Sequence, residues 1–548
     1  MPSPSLHDLL AHGAADAPAI SAPGRTALSF GALRTLVTDT LARLNALGIG
    51  RNDRVGIVLA NGPEMATCFA ACACGVTSAP LNPGYRADEF EFYLSDLNAK
   101  ALIVEQGSTS AAIAVAEKLG VRVLDLVANT ASSAGCFTLQ ARESSAAEAA
   151  TENGGLAQPA DISMVLHTSG TTSRPKIVPL SQANLCASAA NIGTALQFVP
   201  GDCGLNIMPL FHIHGLIAGV LAPLAAGSQV FCTPGFNALK FFGWMDEAKP
   251  TWYTAVPTMH QAIVSRAGKN AEVIARHPLR FMRSSSSSMP PQVIRELEAV
   301  FHAPLIEAYG MTEATHQMTS NPLPPAARKP GTVGRAAGPE VAIMGAGGAL
   351  LPAGGVGEIV IRGANVTSGY ENNPAANADG FAHGWFRTGD QGRVDEEGYV
   401  SITGRLKEII NRGGEKISPR EVDEILMDHP AVAQVVCFGM PHPKLGEEVA
   451  AVVVLREGQA ATERELAAFV ATRAADYKVP KKILFMDEIP KGATGKLQRI
   501  GLAQKLGLVG SQAASAGSAG RQVMAAAQTA RRVDRNRGVF KGGLLSCL

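Results

Sequence analysis

The sequence predicts an α/β protein in which two doubly wound sheets and a small β-barrel form a large N-terminal region, followed by a small α+β C-terminal domain. The chain has 548 residues, too many for a single hydrophobic core. Strand-like and helix-like patterns alternate over about the first 300 residues, as in parallel sheets covered by helices. The composition shifts at residue 404, so we expect domains at 1–403 and 404–508 and a tail at 509–548.

Apolar periodicity predicts the elements of the first sheet within residues 1 to about 160. Helices are expected at 30–47 and 63–74, and strands at 53–59, 101–105 and 123–127. Residues 130–155 are rich in Ala, Ser and Gly, which favours a loop. The second sheet should contain strands at 205–208, 229–232 and 252–256.

The remaining regions differ in composition. Residues 331–403 are glycine-dense and β-rich, which indicates a small barrel or twisted sheet. In the C-terminal domain, helices are expected at 419–427 and 463–473, and strands at 432–438 and 448–454. The tail is rich in Ala, Ser and Gly and then basic, so we expect disorder with a possible short helix at 522–532.

Overall composition narrows the partners and the compartment. The chain is 46% hydrophobic and 17% charged, with a formal net charge of +1, which gives no reason to expect nucleic acid or an anionic membrane as partner. No secretory signal and no run of eighteen apolar residues is visible, so we expect a cytoplasmic protein without a membrane span. Cys68, Cys72 and Cys74 are interpreted as buried thiols. The ending Ser546-Cys547-Leu548 differs from the peroxisomal Ser-Lys-Leu signal at one position and keeps the peroxisome as an alternative.

One stretch, His167 to Lys176, combines five hydroxyl side chains, a glycine and a lysine between two strand-like runs. Glycine lets a phosphate approach the backbone, hydroxyl and N–H groups donate to its oxygens, and lysine supplies charge. The spacing is not that of a Walker loop. A plain Ser/Thr turn is the alternative. The candidate phosphate ligands are Thr168, Ser169, Gly170, Thr171, Thr172, Ser173 and Lys176.

Five further motifs follow in a fixed order. The first is a pair of imidazoles beside a glycine turn (His212, His214), and the second is an aromatic, a hydroxyl and a carboxylate after a strand (Tyr309, Thr312, Glu313). The third is a carboxylate on a tight turn (Asp390), and the fourth is Gly404 to Lys407 at the domain junction. The fifth is a second glycine–hydroxyl–lysine loop that ends at Lys496. Each residue alone has an ordinary structural explanation. The ordered set does not.

In this order and spacing, the motifs resemble the adenylate-forming superfamily of acyl-CoA synthetases, luciferases and peptide-synthetase adenylation domains. The resemblance covers residues 7–507. It implies a large N-terminal region and a mobile C-terminal domain. It also implies ATP, Mg²⁺ and coenzyme A as reactants or cofactors, and a small-molecule carboxylic acid as substrate, which is first adenylated and then transferred to the thiol of CoA.

The resemblance assigns roles to individual residues. Glu313 would bind Mg²⁺, Thr312 would contact the α-phosphate, and Asp390 with Arg405 would hold the ribose. Lys496 would offset charge at the reacting carboxylate, and His212 belongs to the same catalytic set. The adenine would be framed by Ser287, Glu307, Ala308, Tyr309 and Gly310, with Tyr309 stacked on the ring. Lys407 would be the hinge, and Gly413 and Gly414 would enter the site for thioester formation.

The acid-binding residues indicate a compact polar substrate. An aliphatic or aryl acid needs an apolar lining, whereas this chain offers imidazoles and the serine run Ser284 to Ser288. Five local strings, including Phe211 to Gly215 and Glu307 to His316, resemble the oxalate–CoA ligases of plants and fungi, which also share Ser173 in place of the usual glycine. By this resemblance, His214, His316 and either Ser286 or Ser288 would hold the second carboxylate of oxalate.

Two alternatives stay open from the sequence. The same motifs permit a medium-chain or aryl acid–CoA ligase similar to the 4-coumarate ligases. A catalytically silent ligand-binding homologue is the other, and the presence of Lys496, Glu313 and Asp390 argues against it.

Overall fold

The computed structural model describes residues 5–142, 150–168, 175–492 and 496–508. They fall into two compact units, Met1–Lys407 with Pro490–Leu497 and Glu408–Ile489 with Gln498–Leu548. The tail at 509–548, with its possible helix at 522–532, lies outside the described residues. No helix in the described part of the chain combines the length and the apolar composition that a membrane span requires.

The first unit contains two large sheets. In chain order their strands are β1 (Pro18–Ala22), β2 (Arg25–Ser29), β3 (Arg54–Val58), β4 (Thr77–Pro80), β5 (Ala101–Glu105), β6 (Arg122–Ala128), β7 (Phe137–Ala141), β8 (Ile162–Thr168), β9 (Lys176–Ser181), β10 (Cys203–Asn206), β11 (Gln229–Cys232), β12 (Trp252–Ala255), β13 (Phe281–Ser284), β14 (Leu305–Met311), β15 (His316–Ser320) and β16 (Arg335–Ala336).

Helices cover these sheets. They are α1 (Leu6–Leu9), α2 (Phe30–Ala46), α3 (Pro63–Ala73), α4 (Ala87–Leu97), α5 (Ala111–Lys118), α6 (Gln182–Ala195), α7 (Ala222–Ala225), α8 (Phe241–Ala248), α9 (Pro257–Ala267), α10 (Ala271–Arg276) and α11 (Pro291–Phe301). A π-helix spans His214–Leu221, and 3₁₀ turns span Leu10–His12, Gly268–Asn270 and Thr312–Ala314.

The strand order confirms the predicted doubly wound α/β architecture. One sheet has the order β7-β6-β5-β3-β4-β8-β9 and the other β16-β15-β14-β13-β12-β10-β11-β1-β2, with parallel interiors and antiparallel edges. Two expectations were wrong. The hairpin β1–β2 belongs to the second sheet although it comes first in the chain. The expected loop at 130–155 contains β7, where side chains alternate between buried and exposed.

Local chemistry explains the helix positions. The Ser29 hydroxyl accepts from the Ala32 N–H and so begins α2, and the helix buries Leu33, Val37 and Leu41 on one face. Helix α3 starts with Pro63, the residue best suited to a first turn, and is buried almost throughout. Cys68, Cys72 and Cys74 are therefore buried thiols in and directly after α3.

An antiparallel sheet completes the first unit. Its elements are β17 (Glu340–Met344), β18 (Gly357–Arg362), α12 (Pro374–Gly380), β19 (Phe381–Ala382), β20 (Trp385–Val394) and β21 (Val400–Arg405). The strand order is β17-β18-β20-β19, with β21 also paired to β20. This pairing brings the end of β21 beside the middle of β20, where Asp390 is opposite Arg405.

The second unit is a small α+β domain. Its elements are β22 (Ile410–Arg412), β23 (Glu415–Ile417), α13 (Pro419–Met427), β24 (Val432–His442), β25 (Gly446–Leu455), α14 (Glu463–Ala471), a 3₁₀ turn (Asp476–Lys478), β26 (Lys482–Phe485) and α15 (Leu502–Lys505). The sheet order is β23-β22-β25-β24, and β26 pairs with β25.

Candidate active site

The candidate site lies at the carboxyl ends of β12, β13 and β14, which are neighbouring parallel strands of the nine-stranded sheet. The carboxyl edge of such a sheet is where ligands of α/β proteins bind. Thr254, Arg283 and Glu307 come from these three strands, and all three are buried. Two groups of side chains build the site, one of donors and one of carboxylates.

Arg283 is the centre of the first group. Its side chain is fully buried, and burial lowers its pKa to about 9. One terminal nitrogen donates to Nε2 of His214 at 3.2 Å and to the Thr254 hydroxyl at 3.4 Å. The other donates to Nε2 of His316 at 3.1 Å and to Oε1 of Gln317 at 3.3 Å. We call Arg283, His214, His316, Thr254 and Ser286 the donor cluster.

His214 opens the π-helix His214–Leu221 rather than standing beside the predicted glycine turn. Such helices are frequent at functional sites because they reposition a side chain. Gly215 is required there, since an added Cβ would lie 2.3 Å from the Pro209 carbonyl oxygen. Nε2 of His214 lies 2.6 Å from the Thr254 hydroxyl, and Nδ1 lies 3.1 Å from the Ser286 hydroxyl. Burial holds the pKa of His214 well below its usual range.

His316 is parallel to His214, with ring centroids 4.8 Å apart. Its backbone has φ +91°, and that of Thr315 has φ +48°, conformations that are unfavourable for non-glycine residues. The turn is held because Ser188 donates to the Thr315 carbonyl and Thr315 donates to the Asn365 carbonyl. Burial also holds the pKa of His316 well below its usual range, so both imidazoles are neutral.

The serine run is divided by burial. Ser284 and Ser285 are buried, whereas Ser287 and Ser288 are exposed. Ser286 lies between them with φ +76° and contacts His214. Of the two serines that the sequence offered for the acid, Ser286 is therefore the one that contacts a predicted acid-binding histidine.

His212 and Lys496 are linked electrostatically. Burial, together with the positive charge of Lys496, lowers the pKa of His212 to about 3. The same ammonium contributes to the lowered pKa values of His214 and His316, after burial and the charges nearer to them. The Lys496 carbonyl accepts from the Gly492 N–H, and Lys496 belongs to the first compact unit. The three predicted histidines and Lys496 are therefore close enough to influence one another.

Asp390 is the centre of the second group. It is buried within β20, so the prediction that it lies on a tight turn was wrong; the strand continues through Gly389. Its Oδ2 accepts from the Tyr309 hydroxyl at 2.5 Å, and its Oδ1 accepts from Arg405 Nε at 3.0 Å. Tyr309 likewise lies in β14 and not after a strand. Burial, then the Asp390 charge, raises the pKa of Tyr309.

Glu313 is the second carboxylate. Its side chain is buried, and burial raises its pKa although Tyr370 donates to Oε1 at 2.8 Å. The ammonium of Lys176 lies 4.3 Å from the centroid of the Tyr370 ring. We call Asp390, Glu313, Tyr309 and Tyr370 the carboxylate cluster. Thr312 starts the 3₁₀ turn that carries Glu313.

The backbone between these groups is tightly packed. A Cβ added to Gly310 would lie 1.6 Å from the His316 carbonyl oxygen, so only glycine fits at this position. Ala308 is buried, and Oε2 of Glu307 accepts from the Gly331 N–H at 3.2 Å. Strands β14 and β15 meet here with a bulge between Tyr309 and Gly310.

The predicted phosphate loop is described only at its ends. Thr168 and Lys176 are opposite each other in the antiparallel pair β8–β9. The predicted ligands Ser169, Gly170, Thr171, Thr172 and Ser173 lie outside the described residues.

The residues predicted for the CoA step lie around the unit boundary and in the second unit. Lys407 is the last residue of the continuous part of the first unit. Gly413 and Gly414 connect β22 and β23 with φ values of +59° and +101°, which suit a two-residue hairpin turn. These are conformations that glycine adopts readily.

Sequence reasoning missed Arg283, Thr254 and Tyr370. A signal existed for Arg283, because it is a single charged residue in the buried run Phe281–Ser284. Thr254 and Tyr370 carry no comparable signal, since their partners are distant in the chain.

Comparisons with known proteins identify the family of this chain. Residues 10–371 match the AMP-binding enzyme family, and residues 421–496 match the AMP-binding enzyme C-terminal domain. An oxalate–CoA ligase of Arabidopsis thaliana is 44% identical, covering 92% of this chain and 99% of the relative. One of Saccharomyces cerevisiae is 40% identical, covering 86% and 90%. ATP-bound MatB of Rhodopseudomonas palustris has a TM-score of 0.82 at 28% identity, covering 92% of this chain and 99% of that structure.

The chain thus belongs to the AMP-binding enzyme family. It is an ATP-dependent, AMP-forming acid–CoA ligase with a large N-terminal region and a small C-terminal domain. ATP, an acid and CoA are its small-molecule reactants.

Proposed function

We propose that the chain converts oxalate, ATP and CoA into oxalyl-CoA, AMP and pyrophosphate. One carboxylate oxygen attacks the α-phosphorus of ATP, and the bond to the β-phosphate breaks to release pyrophosphate. The CoA sulfur then attacks the acyl carbon of the adenylate. AMP leaves with the electron pair of the broken C–O bond, and the thiol proton is lost.

The donor cluster is the observation that carries oxalate as the acid. Oxalate keeps a second carboxylate next to the reacting one, and a charge in a dry site must be paired or hydrogen-bonded. Two imidazoles, a hydroxyl and a buried guanidinium meet this need. An apolar acid would place hydrocarbon against these polar groups and offer no charge to the guanidinium. The identities of 44% and 40% to oxalate–CoA ligases support the same acid.

The carboxylate cluster suits the nucleotide. Asp390 is an acceptor, as ribose hydroxyls require, and Arg405 fixes its orientation. The face of the Tyr309 ring would stack on adenine, and the backbone from Glu307 to Gly310 would frame it, together with Ser287. The loop Thr168 to Lys176 would hold the β- and γ-phosphates, and Thr312 would contact the α-phosphate.

Glu313 fits a magnesium ion that enters with ATP. Mg²⁺ in nucleotide sites is held by one or two carboxylates together with phosphate oxygens and water. Glu313 is a buried carboxylate with a raised pKa, so a cation beside it would offset the cost of its charge. The described residues contain no group of three or more acidic, His or Cys side chains that could hold a metal by themselves. Bound there, Mg²⁺ would neutralise phosphate charge.

Lys496 and His212 would serve the adenylation step. The ammonium would lie between the attacking carboxylate and the α-phosphate and offset the negative charge that develops there. His212 is neutral beside it because of its lowered pKa, and so adds no competing positive charge. Lys407 would be the hinge for the thioester step, which Gly413 and Gly414 would serve.

The decisive experiment measures pyrophosphate release with Mg-ATP and CoA on oxalate, malonate, acetate, hexanoate and 4-coumarate. We expect selectivity for oxalate and oxalyl-CoA as the product. Turnover of hexanoate or 4-coumarate without oxalate would reject oxalate and leave the ligase chemistry intact. Absence of turnover with every acid would favour a silent binding protein.

Single variants connect that selectivity to the donor cluster. His214→Ala and His316→Ala should each raise the KM for oxalate by about 10- to 100-fold, because each removes a hydrogen bond to a charged group. His277→Ala is a matched control, since its imidazole contacts Asp246 outside the site. An unchanged oxalate KM in both site variants would make these histidines structural.

A further inference from the structure

Arg283 is a buried cation for which the described part of the chain provides no counter-anion. Its side chain is fully buried, and none of the described carboxylates lies within ion-pair distance of it. Its Nε also lacks a hydrogen-bond partner among the described residues. A charge in this state destabilises the fold unless a ligand supplies the opposite charge. The environment of Arg283 is therefore suited to an anion.

The direction of its hydrogen bonds fixes two tautomers. A guanidinium has only donors, so Nε2 of His214 and Nε2 of His316 must both accept from it. A neutral imidazole carries one proton, and in both rings that proton must be on Nδ1. The contacts of one side chain thus determine the protonated nitrogen of two histidines.

Neighbouring contacts agree with this assignment. The Thr254 hydroxyl can donate to Nε2 of His214 while it accepts from Arg283. Nδ1 of His214, now an N–H, faces the Ser286 hydroxyl as an acceptor. No described residue accepts from Nδ1 of His316. The Nδ1–H of His214 is thus used by Ser286, whose hydroxyl proton can be donated onward, and the Nδ1–H of His316 can be donated to a ligand.

The backbone of Arg283 is held by His260, which in turn is held by Tyr253. Nε2 of His260 donates to the Arg283 carbonyl oxygen at 3.1 Å, and Nδ1 of His260 accepts from the Tyr253 hydroxyl at 3.0 Å. His260 and Tyr253 are both buried. Arg283 is therefore fixed at its backbone and at its guanidinium, as a residue that orients others must be.

We propose that Arg283 is a positioning and specificity residue, which holds His214 and His316 as Nδ1–H tautomers and places its charge behind them so that the site selects an acid with a second carboxylate. This inference rests on the proposed function. The Nδ1–H of His316 donates to the second carboxylate directly, that of His214 orients the Ser286 hydroxyl to donate to it, and the guanidinium supplies the countercharge behind both rings. An acid with a single carboxylate gains nothing from that charge.

Steady-state kinetics test the specificity. Arg283→Gln should lower kcat/KM for oxalate by about 100-fold, mostly through KM, as expected when a charged partner is lost. The KM for ATP should change by less than about threefold, within the range of indirect effects, and kcat/KM should fall less for acetate than for oxalate. Arg283→Lys keeps the charge but cannot reach both imidazoles, so it should be intermediate.

Arg280→Gln is the matched control. It removes an arginine just before the same strand, which pairs with Asp202 outside the donor cluster. It should leave the ratio of oxalate to acetate turnover unchanged. A folded Arg283→Gln protein, judged by thermal unfolding, that keeps the wild-type oxalate KM would overturn the specificity role.

Ring-nitrogen NMR of ¹⁵N-histidine-labelled wild-type protein tests the positioning directly and needs no Arg283 variant. The signals of His214 and His316, assigned with His214→Gln and His316→Gln, should be those of Nδ1–H tautomers. Nε2–H signals would overturn the positioning role. If wild type turned over no oxalate, the proposed function and the specificity role would both fail, while the spectrum would still decide the positioning role.

Discussion

The donor cluster and the carboxylate cluster lie in the same site but are built with opposite chemistry. The first surrounds one guanidinium with neutral acceptors, which are the Nε2 atoms of His214 and His316, the Thr254 hydroxyl and the Gln317 amide oxygen. The second surrounds the carboxylates of Asp390 and Glu313 with tyrosine hydroxyls. In the proposed complex, these carboxylates accept from ribose hydroxyls or bind a cation. The two clusters therefore differ in the sign of their central charge, and this difference is the basis for our proposal that the donor cluster forms the acid half of the site and the carboxylate cluster the nucleotide half.

The largest expected effect comes from removing the ammonium of Lys496, which we propose to offset charge in the adenylation step. Lys496→Ala should lower adenylation by about 10²- to 10³-fold, the usual consequence of deleting one electrostatic stabiliser of a transition state. ATP binding should remain measurable, because binding depends on the carboxylate cluster. Pyrophosphate release and equilibrium ATP binding are the measurements.

Lys505→Ala is the control for that variant, since Lys505 is an exposed lysine that contacts Gln498. Wild-type adenylation by Lys496→Ala would reject the assigned role. If Lys496→Ala lost ATP binding as well as adenylation, the role of Lys496 would be in nucleotide binding alone.

A smaller effect should isolate the carboxylate cluster. Asp390→Asn keeps the shape of the side chain but removes the charge that Tyr309 and Arg405 contact, and it should raise the KM for ATP by about 30-fold. The KM for oxalate should stay within about threefold of wild type, because the donor cluster is unchanged. Initial rates with each substrate varied in turn give both constants.

Asp395→Asn is the matched control. Asp395 lies one residue beyond β20 and pairs with Lys329 near the surface. Equal rises in both KM values for Asp390→Asn would show that the two clusters are not separate.

The smallest expected effect is on the pH dependence of the free energy of unfolding. Burial lowers the pKa of His260 to about 4, below the ordinary 6.5. The unfolded chain therefore binds a proton that the folded chain does not, and stability falls as pH decreases from 6.5 towards 4, by about 1.4 kcal/mol per pH unit for this residue. His260→Gln does not lose stability through this protonation. The amount by which its Tm lies below that of wild type at pH 7 should therefore be smaller at pH 5.

Thermal unfolding at the two pH values measures this narrowing. His277→Gln, which alters a histidine that directly follows α10 and contacts Asp246, is the comparison variant. A deficit of His260→Gln that widens at pH 5 would contradict the buried neutral state of His260.

Much of the fold could be predicted from the sequence because its signals are local. The apolar spacing in 30–47 and 63–74 predicted α2 and α3 to within a residue of their observed ends. Strand β7 was missed because the Ala, Ser and Gly around it hid a five-residue alternation. The pairing of β1 with β11 was missed because their registry depends on contacts about 200 residues apart.

The sequence by itself determined the family, the doubly wound α/β class and the order of the motifs that carry Asp390, Glu313, Lys496 and the histidines, because these depend on residue type and spacing. Only the tertiary structure revealed Arg283 as the shared partner of His214 and His316. Hydrogen-bond direction is set where β13, β15 and the π-helix meet, and residues 69 and 33 positions away in the chain supply the acceptors. A linear pattern contains the donors and acceptors, but packing decides which of them meet.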